Sequence, residues 1–293
     1  MEGNQTVGEP VLGVIGGSGL YAMPGLEDSR EYNIETPYGM PSAPVVVGNL
    51  GGNPVAFLAR HGIGHHISPS EVNYRANIYA MKSLGVKRII SISACGSLRE
   101  DFAPGHIVIP DQVFDFTRGR KRSFFEDGLV AHISVADPFC QDLSEQLFVA
   151  TQAAGATLHS GGPLITIEGP RFSTKAESNV YRSWGMAIIG MTTSPEAFLA
   201  REAGICYAVM AHVTDYDVWH TSEEPVTVEK VIEILNRNTQ VAQTAVRNLA
   251  RDHTVERTCS CEHALSGALI TRPDVIPPET RQKLGWLVDK YLH

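Results

Sequence analysis

Short apolar runs that stop at polar residues recur along this chain, with helical segments between them, and this alternation leaves few folds open. Gly13–Tyr21 (GVIGGSGLY) reads as a strand running into a glycine-rich turn, and Lys87–Ser93 (KRIISIS) ends at Ala94-Cys95-Gly96-Ser97. Leu164–Glu168 leads to Gly169-Pro170-Arg171-Phe172-Ser173, and Met186–Gly190 to Met191-Thr192-Thr193. Ile205–Thr214 delivers Asp215-Tyr216-Asp217. Strands alternating with helices predict an α/β fold, and in open α/β sheets ligands bind at the carboxyl ends of the strands. Pro44–Leu58 reads as a hairpin around Gly51-Gly52-Asn53-Pro54, so the sheet is expected to be mixed.

Helix starts are marked by three Ser/Thr-x-x-Glu boxes, at 68–71, 174–177 and 193–196. The helices they open are expected to stop near Gly85 and Gly204, the first passing through Ile78 and Met81. A long amphipathic helix is predicted from about Val228 to Leu249. With no Pro/Gly/Ser-rich linker in 293 residues, the expectation is one domain across 1–293, with a variable tail over 254–293.

Acidic residues outnumber basic ones 32 to 24, giving a formal charge of −8, which argues against a nucleic-acid surface. No apolar run reaches the roughly 18 residues of a membrane span, and the first ten residues lack a secretory pattern. A cytoplasmic protein is expected. Five scattered cysteines do not form a secreted disulfide scaffold, and Cys259-Ser260-Cys261, lacking a CxxC partner, reads as two free thiols rather than as a zinc site.

Four places carry candidate chemistry. The opening turn does not fit the dinucleotide spacing G-x-G-x-x-G, so it is either a structural turn or a cradle in which Ser18 and backbone amides hold one phosphate-like anion. Arg60-His61-Gly62-Ile63-Gly64-His65-His66 is the densest cationic run. Guanidinium beside imidazole suits an oxyanion, though a metal site or a solvated loop also fits the pattern. Ser93 and Thr192, each at a predicted strand end, could converge with them or simply form turns. Asp215 and Asp217 would share a face if the strand continued, so that one carboxyl could donate a proton; an isolated D-x-D also occurs as a solvated turn.

These residues lie within blocks that resemble the trimeric purine nucleoside phosphorylases, in particular their methylthioadenosine-cleaving members. The blocks are GVIGGSGLY, LARHGIGHHISPSEVNYRANIYAMKSLG, SACGSLRE, PGHIVIPDQ, TIEGPRFSTKAES, GMTTSPEAFLAREAGICYA and TDYDVWH, in order over about residues 10 to 250. The resemblance implies one α/β domain with a mixed sheet, assembled as a homotrimer or homohexamer. It implies phosphorolysis of 5′-methylthioadenosine to adenine and 5-methylthioribose 1-phosphate, or a broader action on adenosine or inosine. Inorganic phosphate would be a co-substrate, with no metal or redox cofactor, no nucleic-acid partner and no membrane.

Site roles follow from the same resemblance. Ser18, Arg60, His61, Ser93 and Thr192, with the Ala94 amide, would hold phosphate. Met191 would lie under the ribose, and Phe172 and Ser173 would border the purine. Asp215 would face N7 as general acid, and Asp217 the exocyclic amine. Val228, Val231 and Ile232 would line the 5′ pocket, with His132 supplied by a neighbouring subunit. Serine stands at 18 and 93 where vertebrate members carry threonine. The resemblance also implies bridges, Cys140 with Cys206 and Cys259 with Cys261, as in some archaeal relatives.

Overall fold

The computed structural model describes residues 9–17, 23–220, 227–252 and 256–292. Eleven strands form one mixed sheet. Its central path runs β2 (Leu26–Tyr32), β3 (Val45–Leu50), β4 (Asn53–Ala59), β1 (Leu12–Gly16), β5 (Arg88–Ser97), β10 (Ile188–Gly190), β9 (Pro163–Ile167) and β7 (Gln112–Phe116). A branch leaves β5 through β11 (Cys206–Asp215) to β6 (Ile107–Ile109) and β8 (Leu158–Ser160). The expected hairpin is β3–β4, antiparallel from Val46↔Phe57 to Leu50↔Asn53. Its turn is Gly51-Gly52, both at positive φ, where a side chain would be strained.

Strands β1, β4, β5 and β11 run parallel, so their carboxyl ends share one edge. The sequence pattern ends the third of these at Ser93, but β5 continues to Ser97. It pairs with β1 only over Arg88–Ser91 while β11 follows it to Gly96, and on the edge that β1 has left its last residues pair antiparallel with β10 at Gly96 and Ser97. Ser93 and Ala94 therefore sit where β5 leaves one neighbour for the other. The gap this opens at the sheet edge becomes the cleft.

Helices cover both faces. α1 (Tyr74–Ser83) and α4 (Thr193–Glu202) pack on one side with α6 (Pro278–Val288), over Ile15, Leu58, Ile89 and Val209. α2 (Gln141–Ala153) and α5 (Val228–Asp252) pack on the other, over Val14, Phe57, Ile90 and Met210. Alternate residues of β1, β5 and β11 thus serve opposite cores, as a strand buried on both faces requires.

Only one of the three predicted boxes acts as a capping box. Thr174 and Glu177 exchange both bonds at the start of α3 (Lys175–Ser183). The first box closes a free turn, with Glu71 accepting from the Ser68 amide and hydroxyl. α1 starts later, capped by Asn73, whose Oδ1 accepts from the Ala76 amide while Nδ2 donates to the Tyr38 carbonyl at 2.7 Å. The third box is broken for a different purpose: Glu196 turns away from Thr193 into the protein and becomes the counter-charge of Arg60. The terminal segment packs on the body, with Cys261 in the α2/α5 core and Leu284, Leu287 and Val288 in the α1/α4 core.

Candidate active site

Arg60 follows the last residue of β4, and its amide donates to the Gly16 carbonyl at 3.1 Å. This places a guanidinium, 1% exposed, under the carboxyl ends of β1 and β5. A charge buried so deeply needs full compensation. Nε and Nη2 donate to Glu196 Oε2 and Oε1 at 2.7 and 2.8 Å, a bidentate pair. Nη2 also reaches Ser91 Oγ at 2.7 Å and the Ile15 carbonyl at 3.2 Å, while Nη1 donates to the Ile92 carbonyl at 3.2 Å. Burial disfavours the charge, but Glu196 outweighs it and holds the guanidinium protonated. The Tyr207 hydroxyl donates to Glu196 Oε1 at 2.7 Å. The remaining contact, Nη1 to Ser93 Oγ, is long at 3.4 Å and faces the cleft.

That cleft has a volume of about 220 Å³. Of the residues singled out from the sequence, Arg60, His61, Ser93, Ala94, Phe172, Ser173, Met191, Thr192, Asp215, Asp217 and Val231 line it. Ser18 lies outside the described residues; Gly17, which precedes it in the sequence, lines the cleft. Ser93 Oγ and Thr192 Oγ1 are 3.4 Å apart. Thr192 precedes α4 and its side chain caps nothing, and the helical backbone is interrupted at Ser194, so what this segment offers the space beside Arg60 is the Thr192 hydroxyl.

His61 is pushed down to about 4 by burial, reinforced by the Arg60 charge. The neutral ring places Nδ1 2.9 Å from the Ile67 carbonyl. A carbonyl only accepts, so the proton is on Nδ1 and Nε2 is an acceptor. His65 stacks on the ring at 4.4 Å between centroids. The three-histidine run does not converge as a metal site: His66 Nδ1 turns to the Ile63 carbonyl.

At the other side of the cleft, the two aspartates meet by a turn rather than by strand alternation. β11 shifts register between Val213 and Asp215, and Asp217 has φ +52, an uncommon conformation for a side-chain-bearing residue. The Asp217 amide donates to Asp215 Oδ1 at 2.7 Å, and Thr214 Oγ1 donates to Asp215 Oδ2, also at 2.7 Å. Asp215 lies against Gly96, where a Cβ would come within 2.9 Å of Oδ1. The Asp217 carboxyl is raised, chiefly by burial and further by the Asp215 charge, with Ser178 opposing. The Ser178 and Ser173 hydroxyls lean towards it without closing well-formed hydrogen bonds, and its Oδ2 is buried and unpaired among the described residues.

Three expected site residues lie elsewhere in the single chain. Val228 and Ile232 are exposed on α5 and off the cleft wall, where the helix presents Val231, Thr239 and Ala242 instead. His132 is exposed on a loop whose amide donates to the Ala268 carbonyl.

Sequence reasoning missed three contributors. Glu196 looked like a cap. Arg120 is buried and donates to the carbonyls of Met191, Ser194 and Glu168 at 2.6 to 2.7 Å, holding the β10–α4 loop; in the sequence it is one member of the basic run RGRKR. His212 lines the cleft with both ring nitrogens unpaired among the described residues. Its only signal is a polar residue inside the apolar run YAVMAHV.

The phosphorylase superfamily matches residues 11–251. An S-methyl-5′-thioadenosine phosphorylase of Geobacter sulfurreducens is 55% identical over 97% of this chain and all of its own length. A methylthioadenosine phosphorylase from an antarctic soil metagenomic library superposes with TM-score 0.92 at 46% identity, covering 97% of this chain and 100% of the other. A methylthioadenosine phosphorylase of Schistosoma mansoni, solved in complex with adenine, gives TM-score 0.83 at 35% identity, over 88% and 96% of the two chains.

Two outcomes are expected from this geometry. Glu196→Gln leaves the Arg60 charge buried without its partner and should cost about 3 kcal/mol or more by denaturant unfolding; a loss within error of zero would contradict the pairing. His61 and His212 are both held at about 4 against an ordinary 6.5, chiefly by burial. Between those values the unfolded chain takes up protons the folded chain refuses, so this stability is full above pH 6.5 and is lost as pH falls towards 4. Glu202, raised by burial to about 7, contributes stability below its ordinary pKa that is lost as pH rises through 7. Denaturant unfolding of His212→Leu from pH 7 to 4 should show a shallower acid loss, by up to about 3 kcal/mol; an unchanged slope would refute the burial account.

Proposed function

The chain belongs to the phosphorylase superfamily, and from that membership and the cleft we propose that it is a pentosyltransferase cleaving 5′-methylthioadenosine with phosphate, to adenine and 5-methylthioribose 1-phosphate. One observation carries this reading: a corner of anion-suited donors (Arg60, Ser93 and Thr192) shares a single cleft with a buried carboxyl pair. The two halves address opposite ends of one glycosidic bond.

Phosphate is the nucleophile. The Ser93 and Thr192 hydroxyls, the Ala94 amide and the cleft-facing Nη1 of Arg60 hold it, with Ser18 completing the cradle. The Nδ1-protonated His61 offers Nε2 to a phosphate hydroxyl. As the C1′–N9 bond breaks and a phosphate oxygen bonds C1′, the leaving adenine takes a proton at N7 from Asp215. Bond breaking develops cationic character in the ribose, and positioning phosphate against C1′ supplies on the order of 7 to 11 kcal/mol. No step in this scheme requires a metal or redox cofactor.

Base selection rests on Asp217. A carboxylate accepts from the 6-amino group of adenine, whereas a 6-oxopurine brings an acceptor to the same place and leaves both unpaired. Phe172 and Ser173 border the base, Met191 the ribose. Val231 supplies apolar contact for the methylthio group, and the exposed Val228 and Ile232 would be covered when a neighbouring subunit brings His132 over that end. This makes the working enzyme a homotrimer, or a hexamer of two. Among the described residues no helix is long and apolar enough to cross a membrane, and five unbridged cysteines suit a reducing cytoplasm.

Adenine release from methylthioadenosine should require phosphate and exceed release from adenosine and, by a wider margin, base release from inosine. Asp215→Asn should lower kcat/KM by about 100-fold or more. Turnover that persists without phosphate would make the protein a hydrolase, and preference for inosine would overturn the aspartate argument. Sedimentation should give three or six chains, with His132→Ala raising KM for methylthioadenosine; a fully active monomer would remove the shared site.

A further inference from the structure

Four cysteines from three separate parts of the chain meet at one point far from the cleft. Cys140 is the N-cap of α2, Cys206 opens β11, and Cys259 and Cys261 follow α5. Their sulfurs all lie within 4.8 Å of one another, with Cys206 Sγ 3.3 Å from Cys259 Sγ. Three are buried and Cys259 is half-buried. Spacing alone dismisses Cys259-Ser260-Cys261 as a metal site because no second close pair exists in the sequence. The fold supplies that second pair from α2 and β11.

The arrangement has the dimensions of a tetrahedral thiolate site. A Zn–S bond near 2.3 Å sets ligand sulfurs about 3.8 Å apart, and the observed separations bracket that edge. Disulfides pair sulfurs two by two at about 2.0 Å and do not call for all four to converge. The surrounding charge also fits. Four thiolates around Zn²⁺ carry a net charge of −2, and two guanidinium groups stand beside them. Arg201 Nη1 donates to Cys261 Sγ at 3.0 Å, and its Nη2 is fixed by the Asp137 carbonyl at 2.9 Å. Arg257 stands beside Cys206, donates to the Gly204 carbonyl at 3.1 Å and is ion-paired with Glu262. Donors of this kind around coordinating sulfurs orient the ligands and offset their charge.

We propose that Cys140, Cys206, Cys259 and Cys261 bind one structural Zn²⁺ that fastens the segment after α5 to α2 and the start of β11. Each thiol gives its proton to water as its sulfur takes the metal, so four protons leave per ion and nothing is oxidised or reduced. All four positions are taken by protein, as in closed structural sites. Cys206 lies nine residues before Asp215 on an extended strand, about 30 Å away, so the metal takes no part in the chemistry of the cleft. Its effect is on the tail: Cys140, Cys206 and Cys261 belong to the same buried cluster as Leu143, Leu147 and Ala208.

The test uses the full chain, produced with zinc present and purified under reducing conditions without chelator. Elemental analysis should find about one zinc per chain. Reduced protein stripped of metal and given Co²⁺ alone should develop the ligand-field and charge-transfer bands of a tetrahedral tetrathiolate. Cys259→Ser with Cys261→Ser should retain about tenfold less zinc, with a lower Tm and an unchanged kcat at temperatures where the variant is folded. Should that variant not fold, the cobalt spectrum of the unsubstituted chain decides. The proposal is overturned if the reduced chain takes up neither metal, if four free thiols titrate in the presence of excess zinc, if the chain isolated without reductant is lighter by four hydrogens and regains no metal site on reduction, or if iron–sulfur absorption appears instead.

Discussion

The ion pair between Arg60 and Glu196 is the interaction on which the site depends. One guanidinium joins β1 through the Ile15 carbonyl, β5 through Ser91, Ile92 and Ser93, and α4 through the carboxylate of Glu196. Taking both charges out of water costs several kcal/mol each, and such a pair is recovered only when its geometry is good and its other hydrogen-bonding capacity is filled. Here the guanidinium is almost fully engaged by protein, and the carboxylate is held additionally by Tyr207. The pair therefore does more to fix the relative positions of three elements than to add net stability. The part of Arg60 left weakly bonded is the part that faces the cleft.

Under the proposed function, that arrangement lets the corner be neutral in bulk yet favourable to a phosphate dianion. The formal charge of Arg60 is cancelled by Glu196, so the corner is not a strong cationic site in the unliganded protein. What remains is a set of oriented dipoles: the Ser93 and Thr192 hydroxyls and an Nη1 edge. Dipoles fixed by the fold need no reorganisation when charge arrives or moves along the reaction coordinate, and in a partly dry cleft they act at low dielectric. The neutral His61 belongs to the same logic, because a charged imidazole beside Arg60 would have no buried partner of its own.

Much of the scaffold is legible in the sequence because strands buried on both faces must be continuous apolar runs. The runs at β1, β5, β9 and β11 are of that kind. β2, LEDSREY, is invisible by the same criterion: it is an edge strand with five of seven residues exposed, so nothing but hydrogen bonding to β3 requires it to be extended. The Ser/Thr-x-x-Glu boxes show the limit of local pattern. Thr174–Glu177 caps a helix because its glutamate has no better partner than Arg171 and the N-cap amide, whereas Glu196 has a buried guanidinium to neutralise. Most of the candidate residues that line the cleft lie in the family blocks, but the gap opened by the divided pairing of β5, the turn that joins Asp215 to Asp217 and the convergence of four cysteines are products of the tertiary fold.

The carboxyl pair shows how that fold turns an ordinary D-x-D into a chemical device. Carried on a regular strand, both side chains would sit on one face with similar surroundings. The turn makes them unlike. Asp215 accepts two hydrogen bonds, while Asp217 is raised by burial, keeps an oxygen unpaired among the described residues, and feels the Asp215 charge. Interacting carboxyls titrate as a pair, so a proton on one is available to the other. Under the proposed function, a purine amino group brought to Asp217 favours the charged carboxylate there, which in turn favours the proton on Asp215, the group assigned to the ring nitrogen. On that reading, recognition of the amino group and protonation of the leaving base are one event, and a base without that amino group forfeits both.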